Sequence, residues 1–96
     1  ILIIDDDEPL RWILSHLLSS QGFTPAIAPT AAAGLDRARR LVPDCILLDL
    51  NLPDRNGLEV LSDLRRSRIP SATIVITAHG DVRSAIKAMK FGADDM

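Results

Sequence analysis

The chain has 96 residues, 47% of them apolar, and a formal net charge of −2. That is enough for one small domain with its own core, and it argues against disorder. The charge balance leaves no basic footprint for nucleic acid or an anionic membrane, and no apolar run approaches the ~20 residues of a membrane-spanning helix. Cys45 is the only cysteine, so a disulfide framework and a thiolate metal site are excluded, and a reducing compartment fits. No secretory signal pattern is visible. The chain opens inside a strand, so a few residues are expected to precede Ile1.

Ile1–Ile4 reads as the first strand and runs into Asp5-Asp6-Asp7. Asp7 and Glu8 supply negative charge at a helix start, where Pro9 is tolerated. Leu10, Ile13, Leu14, Leu17 and Leu18 follow the helical template, and Gly22 is the expected C′ residue. Phe23–Ala28 reads as a weaker strand, with Pro25 marking it as an edge. Thr30 is a good N-cap for a second helix whose buried side is expected at Leu35, Ala38, Leu41 and Val42. Asp36 is placed to pair with Arg39 or Arg40. Pro43-Asp44 closes that helix.

Cys45-Ile46-Leu47-Leu48 is a continuous apolar run, as in a parallel-sheet strand buried on both faces. It ends at Asp49, and Pro53 forbids further pairing. Asp54-Arg55-Asn56-Gly57 is turn chemistry. A third helix follows with Leu58, Leu61 and Leu64 inward, and Pro70 ends that region. Thr73–Thr77 is a β-branched strand. His79-Gly80 reads as a loop and Asp81 as an N-cap. Val82, Ala85, Ile86 and Met89 mark a fourth helix that stops near Gly92.

The order βαβαβαβα predicts an α/β fold, a doubly wound parallel sheet with right-handed crossovers. In the flavodoxin-like order 2-1-3-4-5 the first and third strands are neighbours, and ligands bind at the switch point between them. Both strands end in aspartate. Three or four carboxylates then share one rim, which is electrostatically costly unless a cation sits among them.

With these residues in view, the chain resembles the receiver domain of bacterial two-component response regulators, the CheY-like fold. The resemblance rests on Ile3-Ile4-Asp5-Asp6-Asp7, Leu47-Leu48-Asp49-Leu50-Asn51-Leu52-Pro53, Asn56-Gly57-Leu58-Glu59-Val60-Leu61, Thr77-Ala78-His79-Gly80-Asp81 and Phe91-Gly92-Ala93-Asp94-Asp95. Arg11-Trp12 and the loop at 77–81 look most like NtrC-type receivers, which precede an ATPase working with an alternative sigma factor. The resemblance implies that Asp49 is the phosphoryl acceptor. It implies that Asp6 and Asp49 ligate Mg²⁺ (or Mn²⁺) directly, that Asp5 does so through water, and that the Asn51 backbone carbonyl completes the set. Thr77 is implied as the hydroxyl that turns toward the phosphoryl group, with the Ala78 amide facing it.

The implied partners are a sensor histidine kinase, whose phosphohistidine is the donor, and an attached output, expected to be transcriptional. A homodimer through the fourth-helix face is a further expectation. No direct nucleic-acid binding, no membrane and a cytoplasmic location are expected. The family pattern continues past Met96 with a fifth strand, a lysine and a fifth helix. Residues 1–96 are therefore expected to be a receiver domain that is C-terminally incomplete. Neither Lys87 nor Lys90 matches that lysine, and Met96 falls where the family often has an aromatic switch residue. A fourth strand without its neighbour is expected to expose an edge, and the bare chain to be less stable and less readily phosphorylated than an extended one.

The chemistry suits these residue types. A carboxylate is an adequate nucleophile for phosphoryl transfer, and a hard divalent cation prefers oxygen ligands and retains several waters. The product adds roughly −1.5 to −2 of charge, which is expected to draw Thr77 inward and shift the fourth helix. Plainer readings remain for other residues. His79 reads as a solvated loop residue, His16 as structural and Cys45 as a small core residue. The arginines at 37, 39, 40, 65, 66 and 68 read as solvated helix faces.

Two other functions compete. A haloacid-dehalogenase-type phosphatase also uses an Asp nucleophile at a strand end, but places a second Asp two residues on. Here Asn51 occupies that position and cannot take a proton from water. A degenerate receiver that only docks partners is the other, and the acidic set argues against it. No glycine-rich phosphate loop follows any strand, which excludes a nucleotide module.

Overall fold

The structure, a computed structural model, describes residues 1–76 and Asp94. Among the described residues four strands and three helices alternate: β1 (Leu2–Ile4), α1 (Glu8–Ser20), β2 (Ala26–Ala28), α2 (Ala31–Leu41), β3 (Cys45–Asp49), α3 (Gly57–Arg66) and β4 (Ala72–Ile76). All pairings are parallel, in the order β2-β1-β3-β4. This is the flavodoxin-like arrangement expected. The fourth helix expected near 82–92, and Thr77, Ala78, His79 and Met96, lie outside the described residues.

Local chemistry sets the helix ends. The Leu10 amide donates to Asp7 Oδ1 at 3.2 Å, Pro9 occupies the first turn, and Gly22 takes φ +88° just past the end of α1. Only a residue without a Cβ adopts that left-handed turn freely. The Ala33 amide donates to Thr30 Oγ1 at the start of α2. The Leu58 amide donates to Asn56 Oδ1 at the start of α3.

Right-handed crossovers fix the faces. The chain moves one way from β1 to β2 and the other way from β2 to β3 and from β3 to β4, so α2 and α3 share one face and α1 lies on the opposite one. The face under α2 and α3 holds the main core. Leu2, Ile4, Ile46, Leu48 and Val75 from the sheet pack against Leu35, Ala38, Val60, Leu61 and Leu64. Burying each large side chain stabilises by roughly 1.5–3 kcal/mol.

Three burial expectations need correction. The second helix buries Leu35 and Ala38, with Ala31 and Gly34, but leaves Leu41 and Val42 exposed. The helix ends at Leu41, and Val42 turns at φ +42°, so the helical template no longer applies there. The apolar side of α1 is not sequestered: Ile13 is 48% and Leu17 58% exposed, and only Leu14 and Leu18 are half-buried. In β3, Ile46 and Leu48 are buried, whereas Cys45 and Leu47 are only half-buried. For α1 and β3 the common reason is that, among the described residues, α1 alone covers its face of the sheet.

Asp36 pairs with Arg40 at 3.3 Å. Asp94 joins the outer side of β4: its amide donates to the Thr73 carbonyl at 2.8 Å, and its carboxylate accepts from the Thr73 amide and from Arg65. Among the described residues, no helix is long and apolar enough to cross a membrane.

Candidate functional site

β1 and β3 are neighbours, with Ile4 level with Leu48. Asp5 follows β1 and Asp49 ends β3, so both carboxylates emerge at the carboxyl rim of the sheet. One oxygen each from Asp5, Asp6 and Asp49 lie within 4.8 Å of one another. Ligands on opposite sides of a small divalent cation are about 4.2 Å apart, and a bridging water extends that reach. The donor set therefore fits one hard cation with a small adjustment.

Each acid is held differently. Asp5 is 2% exposed. Its amide donates to the Ala28 carbonyl at 3.1 Å, its Oδ1 accepts from the Asp7 amide at 2.9 Å, and its carbonyl accepts from the Arg11 guanidinium at 2.8 Å. Asp6 is exposed and Asp49 half-buried. Asp49 Oδ1 accepts from the Asn51 amide at 3.1 Å. Asn51 pairs across the loop with Asn56, and the Gly57 amide donates to the Leu50 carbonyl at 2.8 Å.

Residues 1–96 match the response regulator receiver domain over their whole length. The chain belongs to that family. The receiver is 43% identical over 93 residues to the transcriptional regulatory protein FixJ of Azorhizobium caulinodans, covering 97% of this chain and 44% of that protein. It is 39% identical over 95 residues to the photosynthetic apparatus regulatory protein RegA of Rhodovulum sulfidophilum, covering 99% of this chain and 52% of that one. The chain thus spans about half the length of the curated relatives it matches.

Solved structures agree on the fold. The crystal structure of FixJ-N superposes with a TM-score of 0.88 at 40% identity, over 98% of this chain and 75% of that one. A response regulator from Burkholderia pseudomallei, solved with a phosphorylated aspartic acid and a calcium ion, superposes at 0.91 with 28% identity, over 98% of this chain and 55% of that one.

In this receiver the acids repel one another. Burial pushes the Asp5 carboxyl up, opposed by the Asp7 amide and reinforced by the charges of Asp49, Asp6 and Asp7. Burial also pushes Asp49 up, opposed by the Asn51 and Leu50 amides and reinforced by Asp6 and Asp7. Among the described residues no arginine side chain pairs with any of the three carboxylates.

Asp5, Asp6 and Asp49 come together as the sequence led one to expect, and Asn51 adjoins Asp49 through its amide. Thr77 and Ala78 fall outside the described residues. Three residues had been read more plainly. Arg11, read only as a family likeness, reaches back to the Asp5 carbonyl. Gly57, read as a turn, packs against the Asp49 backbone. Asp54, read as part of the same turn, accepts from the Ala31 and Ala32 amides at 2.9 and 3.0 Å. No sequence signal links Asp54 to a helix start more than twenty residues earlier.

Proposed function

We propose that this receiver takes a phosphoryl group onto Asp49 from the phosphohistidine of a sensor histidine kinase, in a reaction dependent on Mg²⁺ or Mn²⁺, and relays the signal to an attached transcriptional output. The observation that carries this reading is the convergence of Asp5, Asp6 and Asp49 at the rim between β1 and β3. The phosphorylated aspartic acid of the Burkholderia pseudomallei relative supports it.

Asp49 Oδ1 is engaged by the Asn51 amide, so Oδ2 is the attacking oxygen. The new O–P bond forms as the N–P bond of the donor breaks. The imidazole nitrogen keeps the electron pair and takes a proton from solvent. The cation, when bound, neutralises charge as two anions approach. Asp6 and Asp49 would hold it directly and Asp5 through water, with the Asn51 carbonyl as the remaining protein ligand. The Thr77 hydroxyl and the Ala78 amide donate to the phosphoryl oxygens.

The protein is a signalling domain that promotes its own phosphorylation, also from small phosphodonors. It is not a turnover hydrolase, since Asn51 stands where a phosphatase of the dehalogenase type needs a proton-transferring Asp. The narrower reading, an NtrC-type output with a sigma-factor-dependent ATPase, rests on Arg11-Trp12 and the loop at 77–81. A cytoplasmic location, dimerisation through the fourth-helix face and the absence of direct nucleic-acid and membrane contacts by this domain belong to the same proposal.

Intact-mass measurement after exposure to acetyl phosphate tests it. The wild type gains one phosphoryl mass with Mg²⁺ and little without it, and Asp49→Asn gains none. Labelling of Asp49→Asn equal to wild type overturns the assignment. Sustained hydrolysis of a phosphoester favours the phosphatase instead.

A further inference from the structure

We infer that the first turn of α2 braces the two halves of the acid cluster, with Asp54 as the positioning residue for the loop that carries Asn51. The inference rests on the reading of that cluster as a cation site. One half, Asp5 and Asp6, follows β1, and the other, Asp49 and Asn51, closes β3. The β1–β3 ladder aligns Ile4 with Leu48 but pairs nothing beyond them. Something outside the ladder must therefore set the two loops relative to each other.

The turn Thr30–Gly34 touches both. On the β3 side, the Asp54 carboxylate accepts one amide on each oxygen, Ala31 on Oδ1 and Ala32 on Oδ2. The Ala33 amide goes to Thr30 Oγ1 and the Gly34 amide to the Thr30 carbonyl. The Gly34 bond is the first within the helix, so the orphan donors at Ala31, Ala32 and Ala33 are all satisfied. Two of these three are satisfied by another loop rather than by the local cap. On the β1 side, Gly34 packs on Ile4, the residue before Asp5. A Cβ at position 34 would lie 2.6 Å from Ile4 Cδ1 and 2.8 Å from Cγ1. The Asp5 amide is also bonded to Ala28, just before this turn.

Asp54 sits between Asn51 and Asn56, the two residues that bridge the base of its loop. Its carboxylate ties the tip of that loop to α2, while Arg55 beside it ties the loop to Glu59 and Asp63 of α3. Negative charge at the positive end of α2 strengthens that tie. Without it the Asn51 half of the site loses its link to α2 and keeps only its ties to β3 and α3, while the Asp5 half keeps its own bonds to Ala28, Asp7 and Arg11.

Calorimetric titration with Mg²⁺ alone, together with amide hydrogen exchange, tests this on the wild type, Asp54→Ala, Asp54→Asn and Thr30→Ala. Asp54→Ala is expected to weaken Mg²⁺ binding by about tenfold, the low end for losing an outer support of a metal ligand. Exchange at Asn51, Ala31 and Ala32 should accelerate in the same variant. Asp54→Asn keeps one acceptor oxygen and should fall between. Thr30→Ala removes the local cap without touching the loop, so it should lower the melting temperature and leave Mg²⁺ affinity unchanged. If Asp54→Ala melts lower but binds Mg²⁺ as the wild type does, Asp54 is a helix cap only and the inference is overturned. A wild type that binds no Mg²⁺ overturns the cation reading itself, and the inference falls with it.

Discussion

Gly57 lies so close to the backbone of Asp49 that a Cβ at position 57 would sit 2.6 Å from the Asp49 carbonyl oxygen and equally close to Leu50 Cα. Both atoms are main chain, so no side-chain rotation relieves the contact. Gly57→Ala must push the start of α3 away from β3 or tilt the Asp49 peptide. The expected loss is about 1–3 kcal/mol, the range for overpacking a tight interior. The proposed acceptor should also take phosphate more slowly, because its carboxylate is aimed by that peptide. Thermal melts and the labelling rate with acetyl phosphate check both. A variant with wild-type stability and rate would show that the backbones separate freely.

The crowding of Asp5 and Asp49 gives a pH dependence with a definite sign. Both carboxyls are pushed above the ordinary value of 3.8, burial being the first cause. The folded state therefore holds their protons to higher pH than the unfolded chain. Their contribution to stability is fully present below 3.8 and is lost as pH rises through the raised folded values. Asp54 and Asp63 have lowered values, from amide bonds and from Arg55 respectively, so their contribution is fully present above 3.8 and is lost as pH falls through the lowered folded values.

Asp49→Asn should consequently raise the melting temperature of the metal-free protein at neutral pH. The amide keeps an oxygen for the Asn51 N–H and sheds the repelled charge. Mg²⁺ should stabilise the wild type at pH 7 more than it stabilises this variant. Melting curves across pH, with and without Mg²⁺, are the measurement. A metal-free variant less stable than the wild type at neutral pH would contradict the electrostatic account.

Arg65 and Asp94 fasten the outer side of β4. The guanidinium donates to the Ile69 and Ser71 carbonyls, to Thr73 Oγ1 and to Asp94, while Asp94 also accepts the Thr73 amide at 2.8 Å. Asp94→Ala should cost about 0.5–1.5 kcal/mol, the net worth of such bonds at a partly exposed position. The Thr73 amide should exchange faster with solvent. Unchanged exchange at Thr73 would mean that the edge is protected by other groups.

Much of this receiver was legible in its residues. The apolar runs ending in Asp5 and Asp49, with helical spacing between them, pointed to a doubly wound parallel sheet with right-handed crossovers, and in the flavodoxin-like order the two acid-ending strands are neighbours. Asp7, Thr30 and Gly22 were recognisable as helix boundaries because capping is local chemistry. What periodicity could not reveal was which apolar positions are covered. Leu41 and Val42 fit the template, but Leu41 is the last residue of α2 and Val42 its left-handed cap, and the outward side of α1 depends on what packs against its face of the sheet. Nor could spacing show that Asp54 reaches the start of α2, that Gly57 meets the Asp49 carbonyl or that Arg11 returns to Asp5. Those contacts join segments distant in sequence, and only folding brings them within hydrogen-bonding or van der Waals range. The sequence alone determined which residue types gather at the rim, since strand ends are written locally; the tertiary structure decided how rigidly they are held, since that depends on contacts no local pattern encodes.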